Sequence, residues 1–307
     1  MRGKGTAFGA TTIVNAMPSG FGAALGVRLR TSAEVEIDVS DVTGTVEVQI
    51  NSCDGSAASD SNSGSNERTA LAKESFSAVM RRFGLNYGGK IRTSSEIPIA
   101  RGMKSSSAAS NAIVIATLDA LGERIKSFEA INLAVEASLA AKASITGAFD
   151  DACASYFGNL HVTDNYRRKI LRSYSDIEKL SIIFLVPDEK RYSGEINVGK
   201  VRSPRLTEIP LRDALNARYW QAMLLNGLIM SRVFGIDASP IITALQNGAI
   251  SAGLCGKGPA VCAVSKGGEE GAIIDGWKTT GHAVIQSEVN TEWTAGVNAG
   301  AGSGAFP

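Results

Sequence analysis

Residues Pro98–Ala112 read PIARGMKSSSAASNA: a proline and a glycine, three consecutive serines, then an alanine-rich apolar run. The run has the composition of a helix, so Ser105, Ser106 and Ser107 stand where that helix begins, with Ser110 one turn further in. Serine is a good N-cap and small residues allow close packing, which is one sufficient reason for the pattern. The other is chemical. The first amides of a helix have no partner within it and lie at the positive end of its dipole, so they seat an anion. Ordinary capping takes one hydroxyl. A run of three, with Gly102 permitting a tight turn and Lys104 adding a cation, favours the phosphate seat, where a serine hydroxyl can also reach Mg²⁺.

Outward from this loop the chain reads as α+β. Upstream, Gly26–Ser40 and Thr45–Ile50 alternate apolar and polar residues as strands do, Asn51–Asn66 is an aperiodic surface loop, and Glu67–Gly84 is an amphipathic helix closed by glycine. A further strand is stopped by Pro98. Downstream, a helix over Ser107–Leu121 ends at Gly122, and a second over Ser127–Lys142 takes Ser127 as N-cap with Glu129 in its first turn. A short helix within Thr146–Gly158 leads to a strand at Asn159–Thr163. The polar, basic DNYRRKILRSYSD marks a domain boundary, giving domains over 1–165 and 166–290. The second domain reads strand, long helix (Arg212–Gly235), shorter helix, strand, helix, strand, with helices layered on one sheet. Residues 291–307, rich in glycine and alanine, read as a flexible tail.

The 307 residues are 44% hydrophobic and 20% charged, with a formal net charge of +1. That balance leaves no electrostatic footprint for nucleic acid or an anionic membrane, and no apolar run is long enough to span a bilayer. Residues 1–20 hold no continuous apolar segment of a secretory signal, so a cytoplasmic location is expected. Four scattered cysteines and two distant histidines speak against a zinc site or a Cys/His nucleophile pair. Oligomeric state is not readable here.

Two other glycine-rich stretches compete for a phosphate. Gly194–Val201, GEINVGKV, has Walker A spacing but offers Val201 where a Mg²⁺-binding Ser or Thr is needed, with Pro204 three residues on. It is rejected. Ser251–Ala260, SAGLCGKGPA, reads equally as a turn into a strand or as a backbone that lets a ligand approach at Gly256 and Gly258.

At these residues the chain resembles the GHMP kinase superfamily. PIARGMKSSSAASNA is similar to its central phosphate loop, GKGTAFGATTIVNA (Gly3–Ala16) to its N-terminal motif, SAGLCGKGPAV to its C-terminal glycine-rich motif, and TGAFDDACASYFG to the helix carrying its aspartate. Within the superfamily the spelling looks most like archaeal-type shikimate kinase. The N-terminal motif departs from several relatives, which carry an acidic residue or histidine after its glycine. The resemblance implies a two-domain fold, an N-terminal domain like domain 2 of ribosomal protein S5 and a ferredoxin-like C-terminal domain, with ATP and a small-molecule substrate, shikimate, in the cleft between them.

It also implies residue roles. Pro98, Gly102, Met103, Lys104, Ser105, Ser106, Ser107 and Ala108 would form the ATP loop, with Ser106 and Glu136 on Mg²⁺. For Glu136 a solvated helix face is an equal reading. Asp150 would sit near the substrate hydroxyl as base or as orienting carboxylate, and Lys4 would stabilise Asp150 as an anion or lower the pKa of the acceptor hydroxyl. Asp151 is its neighbour, and two adjacent helical side chains diverge by about 100°, so only one is expected to face the cleft. Thr146, Arg101, Gly256 and Gly258 are candidates for the substrate side. The rival functions are homoserine kinase or another small-alcohol kinase on the same scaffold, a non-catalytic nucleotide-binding protein, and an RNA-binding module, which the charge balance disfavours.

Overall fold

Strand β2 (Phe21–Asp38) is the spine of the first sheet. The computed structural model describes residues 1–53, 63–191 and 198–294. In it β2 pairs with β1 (Arg2–Val14), β4 (Gly88–Ser95) and β5 (Leu160–Asp164), all antiparallel. β3 (Val46–Ser52) runs parallel to β4, and β6 (Lys169–Tyr174) closes the other edge on β5. The alternation at Gly26–Ser40 marks only part of β2. Its first residues, Phe21–Leu25, are small or apolar and nearly continuously buried, so they carry no period-two signal.

Four helices complete this half: α1 (Ser63–Arg82), α2 (Ser105–Leu121), α3 (Ser127–Ala140) and α4 (Phe149–Phe157). α2 lies on β1 and β2, with α1 and α3 packed against it. The contact with β1 is backbone to backbone. A Cβ on Gly3 would sit 2.2 Å from the Ala120 nitrogen, and one on Gly5 2.2 Å from the Ala112 carbonyl oxygen. Ala112, Ala116 and Ala120 form the facing stripe, so the small residues of both motifs are needed for this approach. Ser110 serves the other contacts of α2: its hydroxyl meets that of Ser75 at 2.8 Å and donates to the Ala134 carbonyl at 3.0 Å, tying α2 to α1 and α3.

The second sheet holds β7 (Leu180–Val186), β8 (Ser251–Leu254), β9 (Val261–Lys266) and β10 (Ala283–Glu288) in the order β10-β7-β9-β8, antiparallel throughout. Between β7 and β8 lie α5 (Val198–Val201), α6 (Glu208–Leu215), α7 (Tyr219–Phe234) and α8 (Ser239–Gln246), and α9 (Gly271–Lys278) precedes β10. This is the β-α-β-β-α-β order of a ferredoxin-like unit, as expected. The long helix expected over Arg212–Gly235 is two, α6 and α7, broken where Ala217 takes a φ of 59°.

Two expectations are corrected. The basic segment read as a domain boundary contains β6, a strand of the first sheet, so the second sheet starts only at Leu180. Each half has apolar clusters of its own, and a further one joins them: Leu25, Met103 and Leu160 pack with Phe184, Met223 and Cys262. The end of the chain also returns to the first half. Val289 bridges Val27, Asn290 exchanges backbone hydrogen bonds with Gly26 and Asn159, and the Thr294 amide donates to the Tyr156 carbonyl. Residues 291–294 are therefore packed, and the rest of the expected flexible tail lies outside the described residues, as does most of the 51–66 loop.

Candidate active site

α2 starts at Ser105, two residues earlier than expected, with Lys104 in the left-handed conformation (φ 64°) at its N-cap and no side-chain cap. The amides of Ser105, Ser106 and Ser107 thus open the helix at its positive end without a capping hydroxyl. All three serines line a cleft with about 1360 Å³ of empty space, open solvent included. The same cleft is lined by Asp150 and Asp151 from the first turn of α4, by Thr146, and by Asn15, Gly256 and Lys257.

The three motifs meet here. A Cβ on Gly102 (φ 85°) would lie 2.0 Å from the Cys255 carbonyl oxygen, so only glycine lets the phosphate loop touch the C-terminal glycine loop. Two backbone hydrogen bonds flank the contact, Ala260 to the Arg101 carbonyl at 3.1 Å and Arg191 to the Ala100 carbonyl at 2.9 Å. From β1, Thr12 accepts from the Gly256 amide at 2.8 Å, and Asn15, just after the strand, donates to the Gly256 carbonyl at 2.8 Å.

The charge centre is Lys104 paired with Asp151, with the charge of Asp150 close enough to act on both. Lys104 Nζ lies 2.9 Å from Asp151 Oδ2, the two side chains being 13% and 8% exposed. Burial, then the neighbouring charge of Asp150, pushes the Asp151 carboxyl up to about 7 against the pull of Lys104. Burial lowers the Lys104 ammonium, but the charges of Asp151 and Asp150 outweigh it, and its pKa is raised overall. One cation cannot neutralise two buried carboxylates, so this cluster holds a proton up to near neutrality. Asp150 is held separately. Asn165 Nδ2 donates to its Oδ1 at 2.7 Å, its backbone amide donates to Asn165 Oδ1 at 3.1 Å, and its Oδ2 lies where a Cβ on Gly22 would come within 2.3 Å.

Several expected site residues are elsewhere. Lys4 lies within β1, not before it. Gly3 and Gly5 face α2, so by strand alternation Lys4 faces away, 81% exposed and paired with Glu34 at 2.8 Å. The cation beside the aspartates is Lys104. Glu136 sits on the outer surface of α3, off the cleft wall, and pairs with Arg168 at 2.8 Å. Pro98, Met103 and Ala108 are buried, Met103 and Ala108 within the apolar cluster; they shape the loop from beneath and are not on the cleft wall. Arg101 and Gly258 are also off the wall, Gly258 against Ile236 and Leu254. Asp150 and Asp151 both reach the cleft, because α4 meets it with its first turn. Asn165, Asn15 and Gly22 were not singled out from the sequence. Asn165 lies in the segment read as a boundary, and nothing in its local pattern marks it.

Comparisons with known proteins bear on the family of the chain. The family model of the GHMP kinases N terminal domain matches residues 70–159. The shikimate kinase of Methanothrix thermoacetophila is 40% identical over 291 residues, 94% of each chain. That of Thermococcus kodakarensis is 39% identical over 281 residues, 91% of this chain and 97% of its own. Among solved structures, homoserine kinase from Cytophaga hutchinsonii superposes with a TM-score of 0.71 at 16% identity, covering 95% of this chain and 96% of that one. L. major mevalonate kinase in complex with R-mevalonate superposes at 0.69 with 14% identity, over 94% and 96%. A fold shared with these kinases and a sequence aligned end to end with the shikimate kinases lead to one conclusion: the chain belongs to the GHMP kinase family.

Proposed function

We propose that the protein transfers the γ-phosphoryl group of ATP to a hydroxyl of shikimate, giving shikimate 3-phosphate. The observation that carries this reading is the uncapped N-terminus of α2 and the buried Asp150–Asp151 pair on one cleft, with Lys104 paired to Asp151. Phosphoryl transfer is mainly positioning and charge stabilisation. The amides of Ser105–Ser107 and the Lys104 ammonium hold the phosphate oxygens. Asp150 takes the proton of the attacking hydroxyl and releases it to solvent after transfer. Arg191 and Lys257, on the same wall, suit the carboxylate of a carboxylated triol.

The half-buried Ser106 hydroxyl fits a role as protein ligand to Mg²⁺. No group of three His, Cys, Asp or Glu among the described residues could hold a metal ion by itself. Bound with the nucleotide, Mg²⁺ neutralises phosphate charge. No helix among the described residues is long and apolar enough to cross a membrane.

A coupled ADP-release assay with shikimate, homoserine and mevalonate tests the reading. Turnover is expected with shikimate alone, and Asp150→Asn is expected to lower kcat by about 10³-fold or more, within the range general-base and positioning losses reach together. Turnover with another alcohol would overturn the substrate, and full activity of Asp150→Asn would overturn the base.

A further inference from the structure

Asn165 is 2% exposed and uses its whole hydrogen-bonding capacity within one network. Its Oδ1 accepts from the Thr163 hydroxyl at 2.6 Å and from the Asp150 amide at 3.1 Å; its Nδ2 donates to Asp150 Oδ1 at 2.7 Å and to Thr146 Oγ1 at 3.2 Å. A backbone N–H can only donate, so the oxygen of the amide must face Asp150 N, and the orientation of the group is fixed. Its backbone is anchored as well, donating to the Gly20 carbonyl at 2.9 Å.

That orientation sets the polarity of two groups on the cleft wall. Asp150 has one oxygen, Oδ1, held by Asn165, while Oδ2 has no hydrogen bond of its own in this network and remains a full acceptor. Thr146 receives hydrogen bonds from Asn165 Nδ2 at 3.2 Å and from the Ala148 amide at 3.4 Å, which fills both acceptor positions of its hydroxyl. Its own proton is then left to donate into the cleft it lines. A hydrogen-bond acceptor and a hydrogen-bond donor, held by the same amide, stand together where the substrate hydroxyl must bind.

We propose that Asn165 is a positioning residue that fixes Asp150 as acceptor beside Thr146 as donor, so that the site recognises a reacting hydroxyl with a second oxygen next to it, as in a vicinal diol. The proposal rests on the reading of Asp150 as the group that meets the substrate hydroxyl. It adds a specificity element: the neighbouring oxygen accepts from Thr146 while the reacting hydroxyl donates to Asp150. The charged or titratable groups around Asp150 are Asp151 and Cys153 on its own helix and Lys104 at the head of α2, with Arg191 and Lys257 on the cleft wall.

Asn165→Asp keeps the shape and removes the donor. Placed against Asp150, the new carboxylate opposes its ionisation, so kcat is expected to fall by about 10²-fold and the acid limb of the kcat–pH profile to move up by about a unit. KM for ATP is expected within about twofold of wild type, since α2 is untouched, which separates positioning from general loss of structure. Thr146→Val should raise the KM for shikimate about tenfold and shrink the preference for shikimate over analogues lacking one of two neighbouring hydroxyls, with Thr146→Ser restoring both. Asn165→Asp with a wild-type kcat and acid limb would overturn the proposal, as would an unchanged analogue preference in Thr146→Val. If the wild type does not turn over shikimate, the substrate reading fails. Asn165 is then judged by the ¹⁵N side-chain amide resonance, expected to follow a titration that Asp150→Asn abolishes. A resonance indifferent to that substitution would overturn the proposal by itself.

Discussion

Lys4 and Lys104 carry the same charge and differ in everything that gives a charge work to do. Lys4 stands in water beside Glu34, where ion pairs contribute little. Lys104 is buried between the phosphate seat and two carboxylates, in a left-handed conformation held by the loop around it. Lys4→Ala is expected to leave kcat and KM within about twofold of wild type, and Lys104→Met to lower kcat/KM for ATP by about 10²-fold or more, a difference steady-state kinetics resolves directly. Equal losses in both would overturn the assignment of the cation. The motif spelled out the loop serines and Asp150 legibly, because helix-end chemistry is local. It misdirected at Lys4, since strand alternation against Gly3 and Gly5 turns that side chain outward, and it was silent on Asn165, whose partners lie 15 and 19 positions away.

At the level of elements, the phosphate seat depends on how α2 is laid on β1. The glycines of the first motif serve this packing, and Gly5→Ala tests it. The added methyl meets the Ala112 carbonyl at 2.2 Å, backbone that cannot step aside. A loss of at least about 3 kcal/mol is expected, the upper end for overpacking, measured by denaturant unfolding, with weaker ATP binding as α2 shifts. The periodic elements were readable: the helices after the loop, the strand before it and β7, β9 and β10 of the second sheet; β8, four residues within a glycine-rich stretch, is too short to show a period. The buried start of β2 and the break at Ala217 were not, because continuous burial erases alternation and a single residue's φ leaves no periodic trace.

For the whole molecule, two buried groups pull the acid stability in opposite directions. His161 donates from Nε2 to the Gly158 carbonyl at 2.9 Å, which leaves Nδ1 to accept from Ser173, and burial lowers its pKa to about 4. Between about pH 6.5 and 4 the unfolded chain takes up a proton that the folded chain refuses, so this term loses about 3 kcal/mol as pH falls. Asp151 is raised to about 7, so between about pH 4 and 7 the folded chain holds the extra proton, and its term loses stability as pH rises. The wild-type melting temperature should therefore vary little over that window. His161→Gln should grow relatively more stable as pH falls through it, and Asp151→Asn relatively less, both read by thermal melts in a pH series. Parallel curves for the wild type and both variants would overturn this assignment. The hydrogen bonds from Asn290 to Gly26 and from Thr294 to the end of α4 have a further consequence, for truncation. The helix that carries the aspartates spans Phe149–Phe157, yet the contacts that steady its far end come from Asn290 and Thr294. A chain cut before residue 289 keeps the loop serines and both aspartates and lacks the clasp behind them.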